Sequence, residues 1–360
     1  MKIVMFVHSL VSDWNHGNAH FLRGVVAELI DRGHDVGVFE PQGGWSRSNL
    51  ARTHGDAAVT EFTQRFPQLR STLYDAGSLE LHDVLSGADL VIVHEWNEPE
   101  LVALIGQHRR APGSKLLFHD THHRAVTRPE SIQQFDLSGY DGVLAFGKVI
   151  RDIYIARGWS RRAWTWHEAA DTRVFHPIEA TTTADLVWIG NWGDGERESE
   201  LEEYLFTPAR ALELSGTIHG VRYPPEAVDH IKAAGLRFGG WIPNHRVPQE
   251  FARHRLTLHI PRRPYARSLN GVPTIRVFEA LACGIPLICA PWDDSERLFR
   301  PGRDYLLASS GAEMQQQIKA VLGDARLADR LVRSGLETIR ARHTCTHRVD
   351  ELLSIYEEMS

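Results

Sequence analysis

The chemistry-bearing residues of this chain fall into a few short stretches. Lys115-Leu116-Leu117-Phe118-His119-Asp120-Thr121-His122-His123-Arg124 runs from an apolar strand into a polar cluster with three histidines and an aspartate in five residues. Such a cluster can move a proton or ligate a metal. Alternation along the chain points His122 and His123 in different directions, so a loop at the surface suits that pair better than a ligand set, and no metal site is expected. A second stretch, Pro273-Thr274-Ile275-Arg276-Val277-Phe278-Glu279-Ala280-Leu281-Ala282-Cys283-Gly284, reads as a short helix ended by glycine. Its N-terminus offers free N–H groups and a positive dipole end, Arg276 can grip a phosphate, and Glu279 one turn on can accept from vicinal ribose hydroxyls. A nucleoside diphosphate fits that layout. The plain alternative is a solvated Arg–Glu pair on a helix surface.

Two glycine-bearing loops extend the same chemistry. Leu186 to Arg197 is a strand running into Gly190-Asn191 and then a helix, which lets backbone amides approach phosphate, with Arg197 placed to neutralise a leaving diphosphate. An ordinary strand-to-helix connection with Arg197 in solvent is the alternative. The loop Ser12 to Asn18 precedes the first helix. Gly17 and Asn18 can present amides to a diphosphate or an acceptor, and Asp13 and His16 can serve the acceptor; Asn18 is equally a helix cap. Asp293-Asp294 suits a cap better than a metal-binding carboxylate pair. Trp14, Trp45 and Trp96 can form an aromatic platform or pack.

Elements that position these residues alternate between strand and helix. Ile3–Val7, Asp35–Phe39, Leu90–His94, Lys115–His119 and Gly142–Phe146 read as buried parallel strands, with helices at Phe21–Leu29, Pro99–Gln107 and Val149–Arg157. A second series opens at Leu186–Gly190 and continues through Thr217–Val221, Leu256–Ile260 and Ile285–Ala290. The fold class is α/β, with two Rossmann-like, doubly wound domains facing across a cleft. The polar run Thr181-Thr182-Thr183 is the expected linker, giving domains 1–178 and 179–342. Residues 343–360 form a C-terminal helix that can pack back on the first domain. The segment Gly43 to Ala58 is expected to be an acceptor-side loop.

The chain has 360 residues, too many for one ordinary core, and 42% hydrophobic with 24% charged residues is the balance of a globular protein. Net charge is −6 and no long basic block occurs, so nucleic acid is not expected as a partner. Cys283, Cys289 and Cys345 show no zinc spacing and fit reduced thiols; with the short first apolar run, too brief for a signal peptide or a membrane span, they suggest a cytoplasmic protein.

Phe278-Glu279-Ala280-Leu281-Ala282-Cys283-Gly284-Ile285-Pro286 resembles the donor-binding motif of family 4-type GT-B glycosyltransferases. Arg276-Val277-Phe278-Glu279-Ala280 resembles, more narrowly, their spore-maturation CgeB-like branch. The resemblance implies that Glu279 holds the ribose, that Gly190, Asn191 and Arg197 face the diphosphate, and that Phe238–Pro243 followed by Val247–Phe251 forms the corner that reads the base, with Trp241-Ile242-Pro243 at its centre; a core aromatic is the alternative for Trp241. It implies catalytic roles for His119, Asp120 and Arg197, with His119 reaching the transferred sugar. Gly271 stands where the broader family has a glutamate that contacts the donor sugar, so its backbone N–H is expected to serve the donor there instead, and the family's Lys-Gly pair is absent. The implied activity is transfer of a glycosyl group, with retention, from a nucleotide-diphosphate sugar of UDP, GDP or dTDP type to an unidentified acceptor, with no further cofactor. A nucleotide-sugar epimerase and a noncatalytic nucleotide-sugar-binding protein are the alternatives. Oligomeric state is not legible in the sequence.

Overall fold

The computed structural model describes residues 1–108 and 111–359. The chain forms two compact units, one of Met1–Glu168 with Cys345–Ser360 and the other of Ala169–Thr344. Unit 1 holds seven strands: β1 (Lys2–Phe6), β2 (Asp35–Pro41), β3 (Thr72–Tyr74), β4 (Leu90–His94), β5 (Lys115–Asp120), β6 (Gly142–Ala145) and β7 (Ala163–Thr165). They run parallel in the order β3-β2-β1-β4-β5-β6-β7. Every residue of β4 is buried, the mark of a strand covered on both faces. The helix Ala19–Asp31 turns Phe21, Val25 and Leu29 into the core, and Gly33 takes the left-handed turn at φ +80° that lets the chain start β2. The helix Cys345–Glu358 packs on Ala19–Asp31 within this unit; Arg32 pairs with Asp350 at 2.7 Å, and the Trp166 indole donates to the Arg348 carbonyl at 2.8 Å.

Unit 2 holds β8 (Ala184–Ile189), β9 (Gly216–His219), β10 (Arg237–Gly240), β11 (His254–His259), β12 (Leu287–Cys289) and β13 (Leu306–Leu307). They are parallel in the order β10-β9-β8-β11-β12-β13. Leu186, Trp188, Ile218, Leu256, Leu258 and Ile288 fill its core. In both sheets the strand order reverses once, between β1 and β4 and between β8 and β11. The carboxyl ends of those pairs are where open parallel sheets receive ligands.

The alternating α/β plan read from the sequence is the one observed, and three local readings change. Gly43 to Ala58 is not a loop: it enters two helices, Trp45–His54 and Asp56–Arg65, with Gly55 at φ +68° turning the chain between them. The strands β3 and β7 have three residues each and lie at the two edges of their sheet, half exposed, so they leave no apolar run to detect. Asp294 caps no helix; its carboxylate accepts from Leu298 N at 2.9 Å and Phe299 N at 2.8 Å in an irregular turn. The three cysteines are buried free thiols. Among the described residues no helix is long and apolar enough to cross a membrane.

Candidate functional site

In unit 2 the site begins where β8 ends. Gly190 and Gly193 lack the side chains that would collide with Arg197: a Cβ on Gly193 would lie 2.6 Å from Arg197 Cγ, and one on Gly190 3.2 Å from Nη2. Arg197 therefore folds back into the loop, its guanidinium 5.0 Å above the Trp188 ring. It donates to the Asn191 carbonyl, and to the Ile260 carbonyl at 3.1 Å. Those two carbonyls follow β8 and β11, so Arg197 spans the point where the strand order reverses. The Asn191 side chain accepts from Val221 N at 3.0 Å and fixes the loop from the other side. Burial, then Arg262, pulls the Arg197 pKa down to about 10, which leaves it cationic at neutral pH. Its Nε is enclosed and has no partner among the described residues. Arg197 is thus not the solvated residue of the plain reading.

The helix Ile275–Cys283 follows β11. Thr274 precedes it without capping it; its hydroxyl meets His259 Nε2 at 3.1 Å instead. Arg276 and Glu279 are paired, but Glu279 is fully buried, so this is no solvated surface pair. The second Glu279 oxygen accepts from Asn244 Nδ2 at 3.1 Å. Asn244 immediately follows Trp241-Ile242-Pro243, and those three residues line a pocket of about 510 Å³ with His219, Glu250 and Arg253. That volume lies within the range of small-molecule sites. Trp241 is half-buried at this pocket and not a core aromatic. Gly271 sits at φ +87° in the loop before the helix; its N–H, expected to serve the donor, donates instead to the Asp293 carbonyl at 2.7 Å, and Glu296 fills the space its side chain would take, since a Cβ there would meet Glu296 Cγ at 2.5 Å and Oε1 at 2.9 Å.

Unit 1 gathers a different chemistry. His8, His16, Asn18, His94 and His119 surround a small cavity beneath the N-terminus of the first helix. His16 Nε2, Asn18 Nδ2 and His119 Nε2 are buried there without a hydrogen-bond partner among the described residues. Burial pushes all four imidazoles toward the neutral form: His8 falls to about 4, His94 to about 3, and His16 and His119 well below the ordinary value. Asp120 is enclosed, accepting from His122 N at 3.0 Å and from the Tyr154 hydroxyl at 2.8 Å. Burial raises its carboxyl to about 7 and does the same to Glu95.

Several expected positions look different in place. Asn18 makes no side-chain cap. Asp13 is held in a buried 2.9 Å pair with Arg23, while Gly17 lies half-buried in the same loop. His123 is buried, its Nδ1 2.8 Å from the Thr127 hydroxyl, and so is not on the surface. Among the described residues no three His, Cys, Asp or Glu side chains are grouped to hold a metal. Trp14 is buried with its ring edge-on to the exposed Trp45. Trp96 is exposed and carries the Arg124 guanidinium at 4.6 Å. Sequence reasoning missed His8, His94, Glu95, His219, Asn244, His259 and Thr274, while Glu250 fell inside the segment that resembles the base-binding corner. A signal existed for some of them: His94 pairs with His119 across β4 and β5, and Asn244 directly follows the Trp-Ile-Pro segment.

Residues 197–354 match the family described as "Glycosyl transferase-like". No curated protein matches the chain by sequence. Among solved structures, a sucrose-phosphate synthase from Thermosynechococcus elongatus superposes with a TM-score of 0.67 at 13% identity, over 100% of this chain and 99% of that one. An alpha-glucosyltransferase in complex with UDP gives 0.68 at 12% identity, over 99% and 100%. This chain has the GT-B glycosyltransferase fold. A further GT-B structure, an alpha-glucosyltransferase with UDP and a 13-mer DNA, gives 0.70 at 12% identity, over 99% of both chains. That structure overturns the expectation that nucleic acid is no partner. Net charge sums over the whole molecule, whereas a nucleic acid needs only a local face of suitable potential.

Proposed function

We propose that this protein is a glycosyltransferase that takes a nucleotide-diphosphate sugar as donor and binds its nucleotide in unit 2. The observation that carries the reading is the Asn244–Glu279 hydrogen bond at 3.1 Å. It joins the pocket of Trp241, Ile242 and Pro243 to the helix bearing Arg276, so that base, ribose and diphosphate have contiguous partners. In this reading the base enters the pocket, and the ribose hydroxyls meet Glu279. The diphosphate lies toward Arg276, Arg197 and the open N-terminus of the helix Ile275–Cys283. Fixed cations at the leaving diphosphate act where negative charge develops, which is the main way such a site lowers a barrier.

His119 and Asp120 are assigned to the sugar-facing side of the reaction, Asp120 by holding the end of β5 in place. The loop Asp13 to Asn18, with His16 and Gly17, is assigned to the acceptor. Placement in the CgeB-like branch rests on Arg276-Val277-Phe278-Glu279-Ala280. Transfer of a hexose with retention, without a resident metal and in the cytoplasm, belongs to the same proposal. Nucleic acid stands among the acceptor classes to be screened.

Thermal shifts with nucleoside diphosphates test the nucleotide site, because a ligand bound only by the folded state raises the melting temperature. Uridine diphosphate, present in structures of the same fold, is the reference ligand. The expected result is a rise for at least one diphosphate that Arg276→Ala and Glu279→Gln each reduce at least about tenfold in affinity, the loss of about one charge-assisted contact. No rise with any diphosphate defeats the reading.

A further inference from the structure

The pocket beside Trp241 presents two acceptors where a base edge would dock. Its floor is formed by His219, at the end of β9, and Glu250, on the helix Val247–Ala252. Gly239 makes room for the imidazole: a Cβ on Gly239 would lie 2.7 Å from His219 Nδ1 and 3.1 Å from Nε2, so the ring rests against bare backbone. Gly240, at φ +67°, turns its carbonyl to within 3.3 Å of His219 Nδ1. A carbonyl only accepts, so in the neutral imidazole the proton sits on Nδ1 and Nε2 offers a lone pair.

That Nε2 is buried and has no hydrogen-bond partner among the described residues. It lies 3.7 Å from Glu250 Oε2, too far for a hydrogen bond between them. The other Glu250 oxygen is taken by Arg253 at 3.2 Å. Paired with the Arg253 guanidinium, Glu250 is a carboxylate, which only accepts. Two acceptors therefore stand side by side, and only a ligand edge with adjacent donors satisfies both.

The nucleobases differ in this respect. Uracil and thymine carry one N–H between two carbonyls, which would press an oxygen against the carboxylate. Adenine and cytosine carry one amino group beside a ring nitrogen that accepts. Guanine alone of these has N1–H next to a 2-amino group. We infer that the donor is a guanosine-diphosphate sugar, its N1–H and 2-amino group read by Glu250 Oε2 and His219 Nε2, with Trp241 beside the base. This rests on the reading that the pocket takes the nucleobase.

Calorimetric titration of the full chain with GDP, UDP, ADP and CDP tests it. GDP is expected to bind at least about tenfold tighter than UDP, the discrimination typical of a two-donor base contact. Glu250→Gln, which replaces one acceptor by a donor, is expected to shrink the GDP-to-UDP ratio to within about threefold, and His219→Phe to reduce it in the same direction. The ratio is read on folded protein and does not depend on how stable each variant is. If UDP, ADP or CDP binds as tightly as GDP, or the ratio is unchanged in Glu250→Gln, the guanine assignment is wrong while the nucleotide site stands. If none of the four binds, the nucleotide site itself fails and the assignment with it.

Discussion

Glu296 reaches across to the bare backbone of Gly271, and the two positions constrain each other. An alanine at 271 must hold φ +87°, where L residues are strained, and its Cβ would lie 2.5 Å from Glu296 Cγ. Gly271→Ala is expected to lower stability by about 1–3 kcal/mol in urea unfolding, the backbone strain persisting even when the side chain gives way. With Glu296→Ala already present, the same change is expected to cost at least about 0.5 kcal/mol less, because the collision is gone. Equal losses in both backgrounds would show that Glu296 swings aside freely. The sequence shows a glycine in a place where the resemblance has a glutamate, but not which side chain fills the space. That answer lies 25 residues downstream, brought close by the Gly271 N–H donating to the Asp293 carbonyl at 2.7 Å.

At the ends of β1, β4 and β5, burial sets opposing protonation habits side by side. His8 and His94 are lowered from 6.5 to about 4 and about 3, with His16 and His119 also well below 6.5. Their contribution to stability is complete above 6.5 and is lost as pH falls through the folded values, because the unfolded chain binds the protons. Glu95 and Asp120 are raised to about 7 from 4.5 and 3.8. Their contribution is present in acid and is lost as pH rises toward 7. Four imidazoles outweigh two carboxyls, so the urea midpoint of unit 1 is expected to rise from pH 5 to pH 6.5. Glu95→Gln removes one opposing group and should steepen that rise; a flat or falling midpoint would mean that the imidazoles are charged in the folded state.

The element scale is also where the sequence was most legible. β4 and β5 are continuous apolar runs ending in polar residues, and that pattern survives into the fold as written. Trp45–His54 was not legible, because its residues are largely polar and only Ser46, Asn49 and Leu50 are buried, leaving no apolar stripe. The candidate site was legible where chemistry and glycine punctuation coincide, at Gly190 to Arg197 and Arg276 to Glu279. It was not legible at His219: Glu250 lies in the segment that resembles the base corner, but 31 positions separate the two, and only the end of β9 and the helix Val247–Ala252 bring them together. A lone histidine at a strand end carries no sign of which carboxylate it will meet.

For the whole molecule, the chain leaves unit 1 at Glu168 and returns at Cys345. Unit 2 is thus an insertion, closed at its base by a bridge between Ala170 and Thr344 and by Ala170 N donating to the His343 carbonyl at 2.9 Å. Arg197, His219, Glu250, Arg276 and Glu279 all lie inside the insertion, whereas the helix Cys345–Glu358 completes unit 1. Ending the chain after Thr344 should therefore separate stability from binding. The truncation removes the buried Val349, Leu352 and Ile355, along with the carbonyl that accepts from Trp166. Burying three such side chains is worth several kcal/mol, a large share of a domain's stability. Calorimetric scans of the truncated chain are expected to show the unit 1 transition lowered by about 10 °C or more, or lost. The transition of unit 2 should persist and still move upward with the diphosphate that binds the full chain. A truncated chain that keeps the unit 2 transition but no longer responds to that diphosphate would show that the nucleotide site needs residues from unit 1.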